Sequence, residues 1–313
     1  MRYTDLADAD CAITQALGVV GDWWTLLLVR DVAAGVHQFG ALHEQVGISR
    51  KVLAQRLKAL VEHGVLEKRL YHPHPPRYEY HLTDAGRGLL PVLVALQNWG
   101  TRFVLGDGTL TATGEADSAE ARQAHALVGT KLPALTLRPA AASEATATAT
   151  ATAPAPAERV DPIADTPWTV LYCFPGAYAP GVQGHPPGWD QIPGAPGCTL
   201  ESATYRDRLT EFAARGATVL GVSTQRPDQL AAFAAHANIP FPLLSDADLE
   251  LAAALRLPTF RAAGVDRLKR LTLLLDDTRT VRGVLYPLPD PAGSVADALA
   301  LIDARTRPAS TAG

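Results

Sequence analysis

The feature that most constrains the fold is a run of alternating alanine and threonine that ends in prolines and starts at Ala145. Such a run offers no continuous apolar face, and its prolines do not fit helix interiors or central strands. The chain of 313 residues is therefore expected to divide into two parts, each long enough for a domain. We predict a first domain at residues 1–106, a linker at residues 107–158 with a short helix near residues 116–128, and a second domain at residues 159–306.

Composition limits the classes of protein that fit this chain. Hydrophobic residues make up 47% and charged residues 19%, which suits packed cores rather than a disordered polyelectrolyte. No apolar stretch reaches the length of a membrane span, and the first residues lack the apolar core of a signal peptide. The three cysteines are typical of a reducing compartment, so we expect a cytoplasmic protein without a membrane partner.

Charge and motif content narrow the chemistry further. The formal net charge of −4 argues against coating nucleic acid by bulk charge, but it leaves room for a locally basic surface. No cluster of His, Cys, Asp and Glu has metal-ligand spacing, and neither a phosphate-binding glycine loop nor a GxSxG motif occurs. We therefore expect no metal and no cofactor.

The first domain is predicted to be mostly α-helical, with two consecutive helices joined by a short turn that contains glycine. Residues 39–46 form one helix that ends at Gly47, and the next helix runs from Arg50 to His63. Ser49 is a good N-cap because its hydroxyl can accept hydrogen bonds from the free amides of the first turn. One apolar stripe and a basic opposite side on the second helix indicate a helix-turn-helix.

Residues that could contact DNA lie at the start of the second helix and on the hairpin that follows it. In helix-turn-helix proteins the N-terminal residues of the second helix reach base edges in the major groove. The β-rich runs at residues 65–71 and 77–82 flank a proline-rich tip and predict a hairpin, or wing. The candidate DNA contacts are Ser49, Arg50, Lys51, Gln55, Arg56 and Lys58 on the helix and Arg69, His72, His74 and Arg77 on the wing.

The order of these motifs resembles the HxlR family of winged-helix regulators across nearly all of residues 10–100. The resemblance is carried by CAITQALGVVGDWWTLLLVRD, GISRKVLAQRLKALVEHG and RYEYHLTDAGRGLLPVL. It implies a winged helix-turn-helix with a β-hairpin wing, and a homodimer that binds double-stranded DNA at a roughly palindromic operator. The last helix, predicted from Ala85 to about Phe103, has more apolar residues than one small core needs, which fits such a dimer.

Cys11 precedes the first long helix of this domain. By the resemblance it is a candidate redox sensor, because a cysteine at this place senses oxidants or electrophiles in several members of the family. The alternative is a small apolar side chain packed in the core of the dimer. The residues alone leave both interpretations open.

The second domain is predicted to have an α/β fold. Strand-like apolar runs at residues 168–174, 217–223 and 271–275 alternate with helical stretches, which indicates a sheet with a parallel part. Cys198 follows a loop rich in proline and glycine and begins a helical stretch. Free amides and the helix dipole stabilise a thiolate at such a position, and Arg270 is the best candidate for a neighbouring cation.

Residues 168–290 resemble the peroxiredoxins, particularly the bacterioferritin-comigratory type within the AhpC/TSA group. The matching pieces are PGCTLESATYRDRLTEF, ATVLGVSTQRPDQLAAFAAHANIPFPLLSDADLELAAALRL and RLTLLLDD. The resemblance implies a thioredoxin-like fold in which Cys198 attacks a peroxide and becomes a sulfenic acid. Arg270 would then hold the thiolate and polarise the peroxide.

The sequence departs from the peroxiredoxin pattern at two positions. Ala195 stands where the family usually has Thr or Ser, and Ala203 stands where many relatives have a resolving cysteine. Turnover would therefore need an external thiol reductant, or Cys173 or Cys11, and Cys173 lies in a predicted core strand. Three interpretations stay open: a one-cysteine peroxidase, a sensor that is oxidised without efficient turnover, and a structural or partner-binding thioredoxin fold.

The two domains together predict a DNA-binding transcriptional regulator that acts as a redox-responsive homodimer. The alternative is an enzyme, a one-cysteine thiol peroxidase that reduces peroxide through Cys198 and carries the winged helix as an accessory. The regulator is favoured because the winged-helix motifs are intact, whereas the peroxidase pattern is altered at Ala195 and Ala203.

Overall fold

The computed structural model of the chain describes residues 11–105, 110–141, 158–182 and 184–306. It divides into two compact units, residues 1–93 and residues 94–313. The run of alanine, threonine and proline that starts at Ala145 lies outside the described residues.

The first unit is mostly α-helical and carries a β-hairpin, as the sequence predicts. The boundary between the two units falls inside its last helix. Its elements are α1 (Ala12–Val20), α2 (Trp23–Ala33), α3 (Phe39–Val46), α4 (Arg50–Glu62), β1 (Leu66–Pro73), β2 (Pro76–Leu82), α5 (Asp84–Arg87) and the start of α6 (Leu90–Phe103).

Helices α3 and α4 form the predicted helix-turn-helix. Gly47 ends α3 in the left-handed conformation, with φ of +70°, which glycine adopts without strain. The Ser49 hydroxyl caps α4 by accepting from the Val52 backbone N–H at 3.3 Å. The apolar stripe of α4 packs with α2 and α3 into one core, whose fully or almost fully buried leucines are Leu28, Leu42, Leu53, Leu57, Leu60 and Leu66.

The hairpin is tied to the helices at its base. Strands β1 and β2 pair antiparallel from Leu66 opposite Leu82 to the tip. The Tyr80 backbone N–H donates to the His37 carbonyl at 2.9 Å, and the Gln38 side chain donates to Glu79 at 3.3 Å. These bonds join β2 to the segment before α3, so the wing is fixed relative to the helix-turn-helix.

The second unit has an α/β fold. Besides the rest of α6, its elements are α7 (Ala119–His125), β3 (Arg138–Pro139), β4 (Trp168–Cys173), α8 (Cys198–Asp207), α9 (Leu209–Ala213), β5 (Ala217–Ser223), α10 (Pro227–Ala237), β6 (Leu243–Ser245), α11 (Glu250–Leu255), β7 (Thr259–Ala262), β8 (Val265–Leu268), β9 (Leu271–Asp276), β10 (Val281–Leu285) and α12 (Gly293–Thr306).

A six-stranded mixed sheet in the order β10-β9-β4-β5-β6-β3 organises this unit. The central strands β4, β5 and β6 are parallel, and β9, β10 and β3 run antiparallel to their neighbours. Buried apolar side chains dominate β4 and β9, as expected of central strands that are covered on both faces. The fold is the thioredoxin-like arrangement that the sequence predicts.

Aromatic side chains fill much of the core beneath α8. The Tyr172 ring on β4 stacks on Tyr205 of α8, with 4.4 Å between ring centroids. The Tyr172 hydroxyl donates to Ser202 at 3.0 Å, so the polar end of the buried ring is satisfied. This packing fixes α8, and with it Cys198, against the sheet.

The structure differs from the predicted linker at residues 110–141, which are folded into the second unit. The short helix expected near residues 116–128 is α7, and its alanines Ala121 and Ala124 are buried. Strand β3 extends the sheet at β6, with Arg138 opposite Ser245. Alanines give a weak hydrophobic period and β3 has only two residues, so sequence pattern does not reveal this packing.

Membrane-span criteria are met by no single helix in the described part of the chain. Helices α1 and α2 meet the length and composition criteria only when taken together, and the chain bends by 74° between them.

Candidate functional sites

The first candidate site is the exposed side of α4. Ser49, Arg50 and Lys51 at its start are exposed, as are Gln55 and Lys58 further along. Within the described residues, Arg50 and Lys51 form no salt bridge, although the Arg50 guanidinium lies 5.6 Å from the Phe39 ring centroid. The start of α4, which Ser49 caps, therefore presents two exposed cations that form no salt bridge in the described residues.

Arg56, another predicted DNA contact, is held within the unit. Its Nη2 donates to the Asp22 carboxylate at 2.8 Å, and its side chain is only partly exposed. Asp22 also caps α2 by accepting from the backbone N–H groups of Trp24 and Thr25. Arg56 thus joins α4 to the start of α2, whereas Lys58 pairs only with Glu62 on the exposed side of α4.

The predicted wing residues are all exposed on the hairpin. Arg69 pairs with Glu67 on the same strand, with 2.9 Å between its Nε and the carboxylate. The His72 imidazole contacts the Pro75 carbonyl at 3.2 Å. Arg77 forms no salt bridge in the part of the chain that the structure describes, and His74 lies beside it at the tip.

A stripe of exposed apolar side chains runs along α6. Val92, Leu96, Trp99 and Phe103 recur at helical spacing and are each more than half exposed. Ile13 and Leu17 on α1 are also exposed, at 71% and 59%. Apolar side chains arranged on one face of a helix are typical of a surface that another protein covers.

Cys11 lies exposed at the N-cap of α1. Hydrogen bonds from the Thr14 side chain and backbone lower the pKa of its thiol, with the side-chain bond as the largest cause. Within this single chain the thiol is therefore open to solvent and partly activated.

The second candidate site surrounds Cys198. This residue is the first of α8, at the helix N-terminus where the sequence places it, and its side chain is 3% exposed. Gly197 before it has φ of +102°, and a Cβ there would lie 2.6 Å from Pro291. The sharp turn into the helix therefore depends on the glycine at position 197. The Cys198 Sγ donates to the Ala195 carbonyl at 3.5 Å.

Arg270 reaches Cys198 across 72 residues of sequence. Its Nη2 lies 3.4 Å from the Cys198 Sγ and also donates to the carbonyls of Gly194 and Pro196, each at 3.2 Å. The structure thus brings together the two residues that the sequence proposes as the reactive pair. The guanidinium is fully buried, and the loop before α8 wraps around it.

Glu201 is a member of this cluster that the sequence analysis missed. It lies one turn after Cys198, is fully buried, and accepts a hydrogen bond from the Arg270 Nη1. Ser294 donates to the other carboxylate oxygen at 3.4 Å. A carboxylate at the start of a helix on its apolar side is the signal that could have found it, because a buried anion requires a cation.

Burial dominates the electrostatics of the Cys198 site. Burial raises the pKa of the Cys198 thiol, and the Arg270 guanidinium acts in the opposite direction. Burial also raises the pKa of Glu201 to about 7, again opposed by Arg270. Burial therefore opposes the lowering of the thiol pKa that the position at a helix N-terminus suggests.

The positions that depart from the peroxiredoxin pattern show no substitute for the missing groups. Ala195 is fully buried, and its carbonyl accepts a hydrogen bond from the Cys198 Sγ. Ala203 is half-buried on α8. Cys173 is fully buried on β4, and burial raises the pKa of its thiol strongly.

A cavity of about 440 Å³ opens beside Cys198. His185 and Trp189 from the preceding loop line it, with 5.0 Å between their ring centroids. The Arg267 guanidinium lies 5.0 Å from the Trp189 ring centroid and supports that wall. A peroxide needs only a small part of this volume, so the cavity gives small molecules access to an otherwise buried thiol.

Metal binding finds no support in the described residues. Among them, no group of three or more His, Cys, Asp and Glu side chains is arranged to hold a metal ion.

These features define a winged helix-turn-helix chain joined to a thioredoxin-like domain with a cysteine at a helix start. Residues 19–106 match the model of the HxlR-like helix-turn-helix family, and residues 192–284 match that of the AhpC/TSA family. The chain belongs to the HxlR-like helix-turn-helix family and carries an AhpC/TSA-family, peroxiredoxin-like domain toward its C-terminus.

Curated HTH-type regulators match the first part of the chain. An HTH-type transcriptional regulator of Mycobacterium tuberculosis (strain ATCC 25618 / H37Rv) is 42% identical over 93 residues, which is 30% of this chain and 59% of the relative. A second such regulator, from Synechocystis sp., is 35% identical over 95 residues, 30% of this chain and 70% of the relative. The chain thus spans 59% of the length of the mycobacterial regulator that it matches.

Solved structures of peroxiredoxins match the second part. Peroxidoxin BcpB from Mycobacterium tuberculosis is 30% identical, with 45% of this chain and 80% of that chain covered and a TM-score of 0.37. The bacterioferritin comigratory protein of Xanthomonas campestris is 27% identical, with 45% and 80% covered and a TM-score of 0.36.

Proposed function

We propose that this chain is a DNA-binding transcriptional regulator that acts as a homodimer at a roughly palindromic operator and responds to oxidants. The observation that carries the DNA-binding part is the start of α4. Its apolar side is in the core while Arg50 and Lys51 face outward without a salt bridge in the described residues. In the helix-turn-helix family this end of the helix enters the major groove.

The wing supplies a second set of contacts in this proposal. Arg77 and His74 at the exposed tip would meet phosphates, which position the protein without reading sequence. Because the base of β2 is hydrogen-bonded to the segment before α3, the tip and the start of α4 would approach the DNA together.

The apolar stripe on α6 supports the homodimer. Trp99 and Phe103 are 56% and 62% exposed, which is costly for large aromatic side chains in a monomer. A second copy of this chain would cover the stripe, and a two-fold dimer would present two α4 helices to two half-sites.

Two thiols support the response to oxidants. Cys198 lies beside a buried guanidinium at a cavity, and Cys11 is exposed with a lowered pKa. Oxidation at Cys198 would add an oxygen atom at a nearly closed position, and oxidation at Cys11 would change the start of α1.

The test is binding of the full chain to the DNA upstream of its own gene, with reduced and with peroxide-treated protein. Wild type, Cys11→Ser and Cys198→Ser are compared, and Cys173→Ser serves as the matched control because Cys173 is buried in β4. We expect wild type to bind specific DNA with an affinity that changes on oxidation, and we expect either Cys11→Ser or Cys198→Ser to lose that change. Binding without sequence specificity would refute the DNA-binding part, and specific binding that ignores peroxide would refute the redox part.

A second candidate function is that of a one-cysteine thiol peroxidase, favoured by the pairing of Cys198 with Arg270 at an accessible cavity. The thiol would react with a hydroperoxide to give a sulfenic acid and an alcohol or water. Since position 203 is alanine, an external thiol would have to reduce the sulfenic acid. Peroxide consumption with dithiothreitol as the reductant tests this. Repeated turnover that Cys198→Ser abolishes supports it, and a single equivalent consumed per chain supports a sensor instead.

A further inference from the structure

A short segment outside both family matches lies against the Cys198 site. The Ala112 backbone N–H donates to the Pro193 carbonyl at 2.8 Å, and the Ala112 carbonyl accepts from the Arg270 backbone N–H at 2.9 Å. Ala112 is therefore inserted between the loop that leads to Cys198 and the start of the strand that follows Arg270. Family models that cover residues 19–106 and 192–284 do not include it.

Thr111 adds a side-chain bond to the same loop. Its hydroxyl donates to the Pro193 carbonyl at 3.0 Å and accepts from the Thr113 backbone N–H at 3.1 Å. The Pro193 carbonyl thus receives two hydrogen bonds from this segment. We call Thr111 and Ala112 the strap.

Packing holds the strap in place as well. Ala112 is fully buried in an apolar cluster with Trp189, Ile192, Ala195 and Phe260. Ala195 is the residue whose carbonyl meets the Cys198 Sγ, and Trp189 lines the cavity. The strap therefore packs against the loop that leads to Cys198.

The hydrogen bonds of the strap and of Arg270 form a closed circuit. The Arg270 backbone binds Ala112, Ala112 binds Pro193, and the next residue, Gly194, accepts from the Arg270 guanidinium. The same guanidinium nitrogen meets the Cys198 Sγ at 3.4 Å. The distance between the Arg270 guanidinium and the Cys198 sulfur thus depends on the distance between the Arg270 backbone and the loop that contains Pro193 and Gly194. Ala112 bridges the two and fixes that distance.

We propose that Thr111 and Ala112 are positioning residues for the Cys198 site, and that the strap holds the loop of residues 193–198 against Arg270. This rests on the proposed reaction of Cys198 with peroxide. In that reaction the thiolate gives an electron pair to the outer peroxide oxygen, an S–O bond forms and the O–O bond breaks. The sulfur is oxidised by two electrons, and the leaving oxygen takes the proton that the thiol released. The strap contacts none of the reacting atoms.

The test uses the full chain with Cys11→Ser, so that Cys198 is the reactive thiol that is followed. Thr111→Val removes the hydroxyl at matched volume, and Thr111→Ser keeps it. Thr113→Val is the control, because the Thr113 hydroxyl is buried and has no hydrogen-bond partner within the described residues. Two rates are measured for Cys198 by mass spectrometry from pH 6 to pH 10: sulfenic acid formation with hydrogen peroxide, and alkylation with iodoacetamide.

We expect Thr111→Val to slow sulfenic acid formation at neutral pH roughly threefold to tenfold, the range that loss of one hydrogen bond produces. Its alkylation profile should move to higher pH, since a loosened loop lets the guanidinium drift from the sulfur. Thr111→Ser should restore both rates, and Thr113→Val should leave both unchanged. Where Thr111→Val fails to fold, as judged by circular dichroism, Thr111→Ala removes the same hydroxyl without placing a methyl group in its position.

Equal rates and equal profiles for the folded Thr111 and Thr113 variants would overturn the proposal. The peroxide reaction and the strap can fail separately. A wild-type Cys198 that forms no sulfenic acid refutes the proposed reaction, whereas the alkylation profile needs no peroxide and still tests the strap.

Discussion

The two units hold their candidate functional residues in opposite ways. In the first unit, Arg50 and Lys51 project from one helix whose other side is the core, so a local pattern both folds the helix and exposes its cations. In the second unit, Cys198 and Glu201 lie on α8, Arg270 directly precedes β9, and the three residues are buried together. Exposed functional residues on one helix keep their function when neighbouring residues change. A buried polar cluster is destabilised when any one of its partners is removed.

The exposed and buried thiols show the same contrast. A hydrogen bond from Thr14 lowers the pKa of the exposed Cys11 thiol. Burial raises the pKa of Cys198 in spite of the cation beside it. Proximity to a cation or a helix start therefore does not settle the reactivity of a thiol, because the loss of water opposes both.

The largest expected effect is that of Cys198→Ser. We expect complete loss of sulfenic acid in the second unit after peroxide treatment, because no other described thiol lies at the cavity. Mass spectrometry of dimedone-labelled peptides measures it, with Cys173→Ser as the control. Undiminished labelling of residues 158–306 in Cys198→Ser would show that the buried cluster is not the reactive site.

Next in size is the effect of Arg270→Met on stability. Removing the cation leaves the Glu201 carboxylate buried without its partner, which costs about 3 kcal/mol of the free energy of unfolding. Adding Glu201→Gln should recover part of this loss. Urea denaturation measures the free energy of unfolding. The control is Arg226→Met, which breaks an exposed pair with Asp228 and should cost less than about 1 kcal/mol. Similar losses for the two arginines would remove the distinction between buried and exposed charge.

The double variant Arg50→Ala, Lys51→Ala should weaken operator binding roughly 100-fold, at about tenfold for each lost contact. Fluorescence anisotropy with labelled DNA measures it. Arg206→Ala with Arg282→Ala removes the same charge from two partly exposed sites in the second unit and should leave binding within about twofold. Peroxide reactivity of Cys198 should be unchanged in both, and a parallel loss of the two functions would contradict the division into separate sites.

The smallest expected effect is the difference in pH dependence between the two thiols. Because the Cys11 pKa is lowered and the Cys198 pKa is raised, Cys11 should react with iodoacetamide severalfold faster near pH 8. The Cys198 rate should keep rising with pH beyond the point where the Cys11 rate levels off, since its thiolate forms later. A Cys198 rate that levels off below pH 7 would mean that Arg270 and the helix start outweigh burial.

The sequence predicts well those features that depend on neighbouring residues, such as the start and the end of a helix. The Ser49 cap, the end of α3 at Gly47 and the start of α8 at Cys198 follow from local residue types, and the structure contains all three. Arg270 is the best candidate for a cation beside Cys198 because it precedes a predicted strand, and the resemblance to a family gives it the same place, but no spacing in the sequence shows the distance between the two residues.

What the sequence does not show depends on contacts between distant segments. Arg56 reads as one more cation of α4, yet it is bound to Asp22, 34 residues away. The position of Glu201 on the apolar side of α8 indicates a buried carboxylate, but the sequence does not show that its partner is Arg270. The hydrogen bonds of the strap involve mainly backbone groups, and the residues that follow it in the sequence, Thr113 and Gly114, are small. Neither periodicity nor charge therefore marks residues 110–141 as part of a fold.

The strap and β3 precede the run that starts at Ala145, while β4 and Cys198 follow it. A protease that cut within that run would therefore not produce a free peroxiredoxin-like piece. The N-terminal fragment would still supply an edge strand to the sheet and the Ala112 bonds to the reactive loop. The second unit is thus built from two segments of the chain, residues 110–141 and residues 158–306, and we expect that reconstituting it from separately made fragments requires both.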